Sequence, residues 1–453
     1  MRKETENSDF ELIEEPQLDI VFCKPKPAKK VHNEPKEDVL NVLSLFSGCG
    51  GMDLGFEGGF SVLNNSVNKI LTPHFIEREF DNGFVHLRKT KFKTVFANDI
   101  LKDARNAWVH YFSRRGHSVD DFYSESIVDL VKMHRKGISV FPKNIDLVTG
   151  GFPCQDFSIA GKRKGFDSHK NHKGELINDK TASVETRGQL YMWMKEVIEI
   201  TQPKMFIAEN VKGLVNLDNV KEVIQNDFSS TSENGYIVLT PQVLHSADFG
   251  VPQSRQRVIF IGIKKSALNE VSLRELLNEN ITERYNPYPK PTHSYTVQGD
   301  NLKSFVQLHE VFKHLDEPEE SIDLSQKYYS KAKFMGKHCQ GQIEVNPSGI
   351  SPTIRAEHHG NIEFRRLSKE NGGKIDSELN KGLKERRLTV RECALIQTFP
   401  PDYDFVIERK GGRKGSFLVS PSQAYKIIGN AVPPLLAYNI AKRLEQVWDL
   451  YFK

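Results

Sequence analysis

Apolar residues in the middle of the chain form short continuous runs, separated by segments of mixed polarity. Runs with the length of buried strands occupy residues 42–46, 94–99, 145–151, 204–210, 236–244 and 257–263. Between them, residues 101–112 and 187–200 have the spacing of amphipathic helices. Strands that alternate with helices predict an α/β fold with an open, mostly parallel sheet.

This alternation defines four predicted segments. Residues 1–39 are polar and form a predicted N-terminal arm, and residues 40–263 form the α/β domain. Residues 264–420 are more polar and irregular, which predicts a second, smaller domain. Residues 421–453 are predicted to return to the first domain as a C-terminal helix.

Overall charge says little about a polyanionic partner. The 453 residues carry 63 Lys and Arg against 59 Asp and Glu, a formal net charge of +4. Basic clusters nevertheless occur at residues 162–173, 327–337 and 409–414, and the acidic N-terminal arm offsets them in the sum. The sequence therefore predicts local faces that could hold a nucleic acid.

Composition also bears on location and metal binding. No apolar run reaches the roughly 18–20 residues of a membrane span, and the N-terminus lacks the apolar stretch of a secretory signal. We therefore expect no membrane association and a cytoplasmic location. The five cysteines include no CxxC pair, which argues against a disulfide framework or a structural zinc site, and we expect no metal.

A glycine-rich segment, FSGCGG, follows the first predicted strand and leads into a helix. Such a corner lets backbone approach a cofactor closely, and Asp99 at the end of the next strand is placed to accept hydrogen bonds from ribose hydroxyls. The glycine spacing is not GxGxxG, which disfavours a nicotinamide oxidoreductase. The glycine-rich segment and Asp99 together fit a nucleoside-type cofactor, although a purely structural role for both explains them equally well.

Cys154 follows the strand at residues 145–151, at the edge where α/β proteins bind ligands. Pro153 stiffens the backbone before it, and Lys162, Arg163 and Lys164 supply nearby positive charge. Such charge lowers a thiol pKa and could also bind phosphates, so Cys154 is a candidate nucleophile. The alternative is an inert, buried cysteine.

Two further motifs carry ionisable side chains. Glu209 lies at the end of the next strand and is a candidate proton donor. Gln253, Arg255 and Arg257 alternate before the last strand and should share a face, although an exposed pair of charges is the alternative.

Together these motifs resemble the DNA (cytosine-5-)-methyltransferase family of bacterial restriction-modification systems, and the resemblance extends over residues 42–442. The matching blocks, in the family's order, are LFSGCGGMDLGF, GGFPCQDFS, ENVKGL, QSRQR, RRLTVRECALIQTFP and QAYKIIGNAVPP. The resemblance implies a Rossmann-like S-adenosylmethionine-dependent sheet with a smaller target-recognition domain.

The implied reaction is methyl transfer from S-adenosyl-L-methionine to carbon 5 of cytosine in a specific double-stranded DNA sequence. Cys154, in the Pro153–Cys154 motif, would add covalently to a flipped-out base, and Glu209 would hydrogen-bond ring nitrogen 3. Such a carboxyl should have a raised pKa or share a proton. Arg257 would bind the ring carbonyl, with Arg255 in support, and the product would protect host DNA from a cognate nuclease.

For the cofactor, the resemblance places Phe46 on the adenosine, Asp99 on the ribose, and Leu190 and Asn430 at the methionine end. The full predicted set is Phe46, Ser47, Gly48, Gly50, Gly51, Met52, Asp99, Ile100, Ser126, Ile127, Leu190, Asn430 and Val432. Ser126 stands where the family often has an Asp for the adenine amino group; Asp129 or Glu125 could substitute.

For DNA, the resemblance makes residues 155–166 a clamp over the flipped base, and residues 264–387 the recognition region. Residues 327–342 interleave lysines with aromatic residues, which suits phosphate contacts and stacking. The predicted DNA-binding residues are Gln155, Ser158, Lys162, Arg163, Lys164, Thr353, Arg355, Arg365 and Arg366.

Two rival functions remain at this point: an RNA methyltransferase of the same superfamily that acts on transfer RNA, and a DNA-binding regulator without activity. The large second domain argues against the first, and intact Cys154, Glu209 and Arg257 argue against the second. We expect a monomer without an obligate protein partner. Residues 64–91 form an unusually long connection with no predicted role.

Overall fold

The computed structural model describes residues 39–152, 190–216, 220–231, 235–296, 301–356, 361–411 and 415–453. The N-terminal arm up to residue 38 lies outside these residues. So do seven predicted site residues, namely Pro153, Cys154, Gln155, Ser158, Lys162, Arg163 and Lys164.

The described strands, in chain order, are β1 (Leu40–Leu45), β2 (Ser61–Leu63), β3 (Ile76–Glu79), β4 (Phe84–Leu87), β5 (Phe92–Asn98), β6 (Phe122–Tyr123), β7 (Leu147–Gly150), β8 (Met205–Val211), β9 (Tyr236–Val238), β10 (Gln242–His245), β11 (Gln256–Lys264), β12 (His293–Ser294), β13 (Lys303–Ser304), β14 (Phe364–Arg366), β15 (Arg386–Arg387), β16 (Ile407–Glu408) and β17 (Phe417–Val419). The described α-helices are α1 (Gly51–Glu57), α2 (Lys102–Phe112), α3 (Ile127–Arg135), α4 (Leu190–Thr201), α5 (Val220–Ser229), α6 (Glu270–Leu276), α7 (Leu308–Phe312), α8 (Leu324–Lys327), α9 (Val390–Ile396), α10 (Pro421–Asn430) and α11 (Pro434–Phe452).

A mixed sheet in the order β10-β11-β8-β7-β1-β5-β6 forms the centre of the molecule. Strands β8, β7, β1, β5 and β6 run parallel, whereas β11 runs antiparallel to β8. Strand β9 pairs with the last residues of β11, and β10 pairs with its first residues. The predicted α/β class is confirmed.

Both faces of this sheet are covered by helices, which explains why its strands are continuous apolar runs. Along β8, Met205 and Ile207 belong to one core with residues of α1, α2 and α11. The alternate residues Phe206 and Ala208 belong to a second core with residues of α3 and α4. The two cores cover the two faces of the sheet, and because its central strands are parallel, their carboxyl ends lie at one edge.

Two predicted elements are divided in the structure. The run at residues 236–244 forms β9 and β10 rather than one strand. The predicted C-terminal helix at residues 421–453 forms α10 and α11, because Pro433 and Pro434 lack the amide hydrogens that would continue the first helix. Helix α11 packs along α1.

The connection at residues 64–91 and the region after β11 differ from the central sheet. Two strands of the connection, β3 and β4, join β2 in a separate three-stranded sheet in the order β2-β4-β3. After β11, the described chain carries short helices and two-stranded pairs, β12-β13, β14-β15 and β16-β17. The predicted domain boundaries stay a prediction. Among the described helices, none is both long and apolar enough to cross a bilayer.

Candidate active site

A cavity of about 590 Å³ lies at the carboxyl edge of the central sheet. Residues at the ends of β1, β5, β7 and β8 line it, together with residues of α10. This is the edge at which open α/β sheets bind ligands. The walls therefore combine the glycine-rich corner, Glu209, Arg257 and the C-terminal helical segment in one space.

The glycine-rich corner turns sharply because three of its residues have left-handed backbone. Phe46 has φ 53°, Gly48 φ 56° and Gly50 φ 78°. A Cβ on Gly48 would meet no atom within 4 Å, so the chain is open to a ligand there. Phe46 lines the cavity, and its left-handed backbone is unusual because residues other than glycine rarely adopt that conformation.

Two of the predicted cofactor glycines have a packing role instead of a place in the cavity wall. A Cβ on Gly50 would lie 2.5 Å from the Phe112 ring and 2.7 Å from Trp108. A Cβ on Gly51 would collide with the Val432 carbonyl. These glycines let α1 approach α2 and the α10–α11 junction, and their predicted contact with the cofactor stays a prediction.

The Asp99 carboxylate fixes the loop beside which it lies. It accepts hydrogen bonds from the backbone amides of Gly48 and Leu101, each at 2.9 Å. Burial raises its pKa, which these two hydrogen bonds and the charge of Lys426 only partly offset. The neighbouring Ile100 is 41% exposed, although it is apolar, and it lines the cavity. Such an apolar surface beside a carboxylate suits a base and its ribose.

All predicted cofactor residues except Gly50 and Gly51 line the cavity: Phe46, Ser47, Gly48, Met52, Asp99, Ile100, Ser126, Ile127, Leu190, Asn430 and Val432. The Ser126 hydroxyl caps α3 by accepting the Val128 amide at 3.3 Å. Neither Glu125 nor Asp129, the two suggested substitutes, is among the described residues that line the cavity.

Glu209 of β8 and Arg257 of β11 form one end of the cavity. The Arg257 Nε atom lies 2.7 Å from the Glu209 Oε1 atom, and the two side chains are 12% and 10% exposed. Burial raises the pKa of the Glu209 carboxyl, and the charges of Arg257 and Arg255 offset this only in part. The carboxyl is therefore able to hold a proton at higher pH than an ordinary glutamate.

The backbone that leads into the Pro153–Cys154 motif lies against this pair. A Cβ on Gly151 would be 2.9 Å from the Glu209 Oε2 atom. The Asn210 amide nitrogen donates to the Phe152 carbonyl at 3.2 Å, and its Oδ1 accepts the Val211 amide at 2.8 Å. Asn210 thus ties the end of β8 to the last described residue before Pro153.

Arg255 and Gln253 build the opposite wall. Arg255 is 1% exposed and donates to the Ile354 carbonyl at 3.0 Å and the Gly429 carbonyl at 2.9 Å. The Gln253 side chain accepts the Ile354 amide at 2.9 Å and donates to Gln397 at 2.9 Å. Arg255 also lines the cavity. Its hydrogen bonds hold the recognition region and α10 against the sheet.

Two predicted DNA-binding residues are buried, and their contact with DNA stays a prediction. Arg365 and Arg366 are only 8% and 2% exposed, because their guanidinium groups belong to a cluster of ion pairs. Arg366 binds Glu317 at 2.6 Å and Glu378 at 2.9 Å, and Arg365 also pairs with Glu378. To reach a phosphate, either guanidinium would have to leave these ion pairs, although Glu317 would keep Arg386 and Glu378 would keep the other arginine.

The other described DNA candidates lie near the cavity rim. The Thr353 hydroxyl donates to the Ser254 carbonyl at 2.6 Å. Arg355 donates to Gln340 at 2.8 Å, to the Asn361 carbonyl at 2.9 Å and to Glu363 at 3.0 Å. Their contact with DNA stays a prediction.

Sequence reasoning missed a cation in the cavity wall. Lys426 lines the cavity one helical turn before Asn430 on α10, and its charge acts on Asp99 and Asp103. The i, i+4 spacing from Asn430 was a readable signal for a shared face. Ala356 was missed as well, because no pattern in the sequence connects it with the sheet.

The model of the C-5 cytosine-specific DNA methylase family matches residues 80–446. The chain belongs to this family. It is 32% identical over 425 residues to the Type II methyltransferase M.BspRI of Lysinibacillus sphaericus, covering 92% of this chain and 84% of that protein. It is also 32% identical over 417 residues to the Type II methyltransferase M.BsuRI of Bacillus subtilis, covering 90% and 79%.

Solved structures agree with the fold. The DNMT2 proteins of Spodoptera frugiperda and S. pombe each superpose with a TM-score of 0.51, at 18% and 15% identity. They cover 89% and 90% of this chain, and 99% and 98% of their own chains. The predicted family and its activity, DNA cytosine C5 methylation, are confirmed.

Proposed function

We propose that this methyltransferase modifies one cytosine within a short duplex sequence, flips that base into the cavity, and protects DNA from a cognate restriction endonuclease. The observation that carries the proposal is that Glu209, Arg257 and Gly151 lie together at one end of the cavity. Gly151 comes three residues before Cys154 in the sequence. The similarity to Type II methyltransferases supports the protective role.

Cys154 supplies the nucleophile. Cytosine carbon 5 attacks electrophiles poorly, so the Cys154 thiolate adds to carbon 6 and makes carbon 5 enamine-like. S-adenosylmethionine, when bound, would supply the methyl group, which leaves the sulfonium sulfur for carbon 5 and so releases S-adenosylhomocysteine. After methylation, a base removes the hydrogen of carbon 5 and Cys154 is eliminated from carbon 6.

Glu209 and Arg257 hold the cytosine ring during this addition. A glutamate with a raised pKa can donate a proton to ring nitrogen 3 as the thiolate attacks, which neutralises the charge that develops in the ring. Its second oxygen accepts from the exocyclic amine. Arg257, beside it, binds the ring carbonyl oxygen, and Arg255 supports the wall behind both residues.

The remainder of the cavity fits the methyl donor. Asp99 would bind the ribose hydroxyls, and Phe46 and Ile100 would pack on the adenine. Leu190, Asn430 and Val432 would hold the methionine portion. The arrangement joins one carboxylate to apolar walls, which matches a nucleoside bearing an amino-acid chain.

A base inside a duplex cannot reach this cavity without leaving the stack, which costs roughly a few kcal/mol. We assign residues 155–166 to the clamp that closes over the extruded base, with Gln155, Ser158 and Lys162 to Lys164 near the phosphates. We further propose that the chain acts as a monomer in the bacterial cytoplasm, close to the nucleoid.

The test is incubation of the purified chain with tritiated S-adenosylmethionine and duplex DNA. We expect label in the DNA with the wild type and none with Cys154→Ser. A stable adduct with duplex DNA that contains 5-fluorocytosine should form only when Cys154 is present. Labelling of transfer RNA instead of DNA, or full activity of Cys154→Ser, would overturn the proposal.

A further inference from the structure

Exposed and less exposed residues alternate along residues 331–337, which lie in the region after β11. The outward positions are Lys331, Lys333, Met335 and Lys337. Between them Phe334 points inward, and its ring lies 6.3 Å from that of Phe364. One side of this segment is therefore a basic strip that the inward side chains fix to the protein. We name residues 331–343 the lysine loop.

The aromatic residues in and before this loop are used for packing. Tyr328 contacts Phe417 edge-on at 5.4 Å, and Lys331 lies 3.2 Å from the centre of the Tyr329 ring. They do not form the open stacking platform that the sequence suggested. Lys333 and Lys337 are different: among the described residues, no carboxylate oxygen lies within 4.0 Å of either ammonium group.

A single buried guanidinium holds both arms of the lysine loop. Arg387, 1% exposed, donates from Nε to the Ala332 carbonyl at 2.8 Å and from Nη2 to the Lys333 carbonyl at 3.1 Å. Its Nη1 donates to the Gly341 carbonyl at 2.6 Å and also to the Ile362 carbonyl. The loop is thus pinned at its start and its end, which lowers the entropy lost when it binds a partner.

The lysine loop lies close to the catalytic cavity. Arg355 donates to the Gln340 side chain of the loop at 2.8 Å. On one side of Arg355, the Ile354 carbonyl accepts from Arg255, and on the other side Ala356 lines the cavity. The loop is therefore one arginine side chain away from the cavity rim.

We propose that the lysine loop binds the phosphate backbone of duplex DNA beside the cavity through Lys333 and Lys337, and that Arg387 is its positioning residue. This inference rests on the proposed function, since it names the surface that holds the substrate of the same site. Unpaired lysines on a pre-ordered strip suit phosphates, which attract point charges without reading sequence.

The test compares Lys333→Gln/Lys337→Gln with Lys93→Gln/Lys136→Gln. The control lysines are also exposed, but they lie at the start of β5 and after the end of α3, away from the carboxyl edge of the sheet. Each phosphate contact contributes about 0.9 to the slope of log affinity against log salt. The first variant should bind duplex DNA about tenfold more weakly at moderate salt, with a slope reduced by about 2.

Equal affinities and slopes in the two variants would overturn the proposal. If the wild type neither binds nor methylates duplex DNA, the proposed function itself fails, so the two failures are distinguishable. Affinity for S-adenosylhomocysteine, measured by calorimetry, should be the same in the wild type and both variants.

Arg387→Lys tests the positioning role, because a lysine keeps the positive charge but lacks the planar set of N–H donors with which the guanidinium binds the loop carbonyls. We expect KM for DNA to rise several-fold while kcat at saturating DNA and affinity for S-adenosylhomocysteine stay near wild type. Parallel loss of S-adenosylhomocysteine affinity, or an unchanged KM, would show that Arg387 does not act through the loop.

Discussion

Two buried glutamate–arginine pairs in this enzyme have opposite protonation behaviour. In the cavity, Glu209 meets Arg257 through one short contact, and burial raises its pKa. In the region after β11, Glu392 receives two hydrogen bonds from Arg386, each at 2.9 Å, and a third from the Thr389 amide at 2.8 Å. Burial opposes the charge there too, but these partners outweigh it and lower the pKa.

The difference lies in how many donors each carboxylate has, not in burial. Three directed hydrogen bonds compensate the lost hydration of Glu392 and keep it ionised, as a structural ion pair requires. Glu209 has fewer such donors, so burial raises its pKa and it takes up a proton more readily than Glu392 does. We expect the glutamate with the less complete pairing to be the functional one.

The largest expected effect is on catalysis. Glu209→Gln should lower kcat for methyl transfer about 10³-fold, because the amide cannot donate a proton to ring nitrogen 3. The variant should be at least as stable as the wild type, since a group whose pKa rises on folding destabilises the fold when charged. Single-turnover rates and urea unfolding measure the two effects. Loss of stability together with activity would make Glu209 a structural residue.

Glu392→Gln should behave in the opposite way. It leaves Arg386 buried with one of its two carboxylate partners, so the free energy of unfolding should fall by about 3 kcal/mol. Methyl transfer per folded molecule should remain near the wild-type rate below the unfolding temperature. A folded variant with normal stability and a large loss of kcat would erase the distinction between the two glutamates.

A third buried ion pair, between His117 and Glu57, should make the stability of the fold depend on pH. His117 lies 2.9 Å from Glu57, and although burial alone would lower its pKa, the Asp121 and Glu57 carboxylates raise it from 6.5 to about 9. The stabilisation is complete below pH 6.5 and is lost as pH rises through about 9. The loss should be on the order of 3 kcal/mol.

Urea unfolding of the wild type and His117→Gln at pH 6 and pH 9.5 measures this effect. The variant should be the less stable protein at pH 6, and the difference should shrink at pH 9.5. A constant difference between the two proteins would show that His117 is not charged in the folded state.

The smallest expected effect concerns the cofactor end of the cavity. Asp99→Asn should weaken S-adenosylhomocysteine binding about tenfold, because a charge-assisted hydrogen bond becomes a neutral one. Asp103→Asn is the matched control, since burial raises the pKa of Asp103 as well but it is not among the residues that line the cavity. Calorimetry on both variants decides; equal losses would mean that Asp99 has no direct contact.

The sequence predicted the sheet and the cavity well because both depend on local patterns. Apolar runs located β1, β5, β7, β8 and β11, and a polar residue after such a strand lies at the ligand edge whatever the remainder of the chain does. The split of the last helical segment was also readable, since Pro433 and Pro434 stand at the break.

The arginines could not be sorted in the same way. The residues around Arg257 and Arg366 in the sequence do not show which of the two is paired with carboxylates. Arg366 pairs with Glu317 and Glu378, which are 49 and 12 residues away in sequence. Such partners come together only through tertiary packing. Gly50 and Gly51 present a related difficulty, because a glycine needed for helix packing looks like one needed for a ligand.

The central claim is that Cys154 makes this chain a cytosine C5 methyltransferase with a defined duplex site. Bisulfite sequencing of DNA from cells that express the wild type or Cys154→Ser tests it most directly. We predict conversion-resistant cytosines at one short sequence with the wild type and none with Cys154→Ser. Resistant cytosines in both strains, or in neither, would contradict the account.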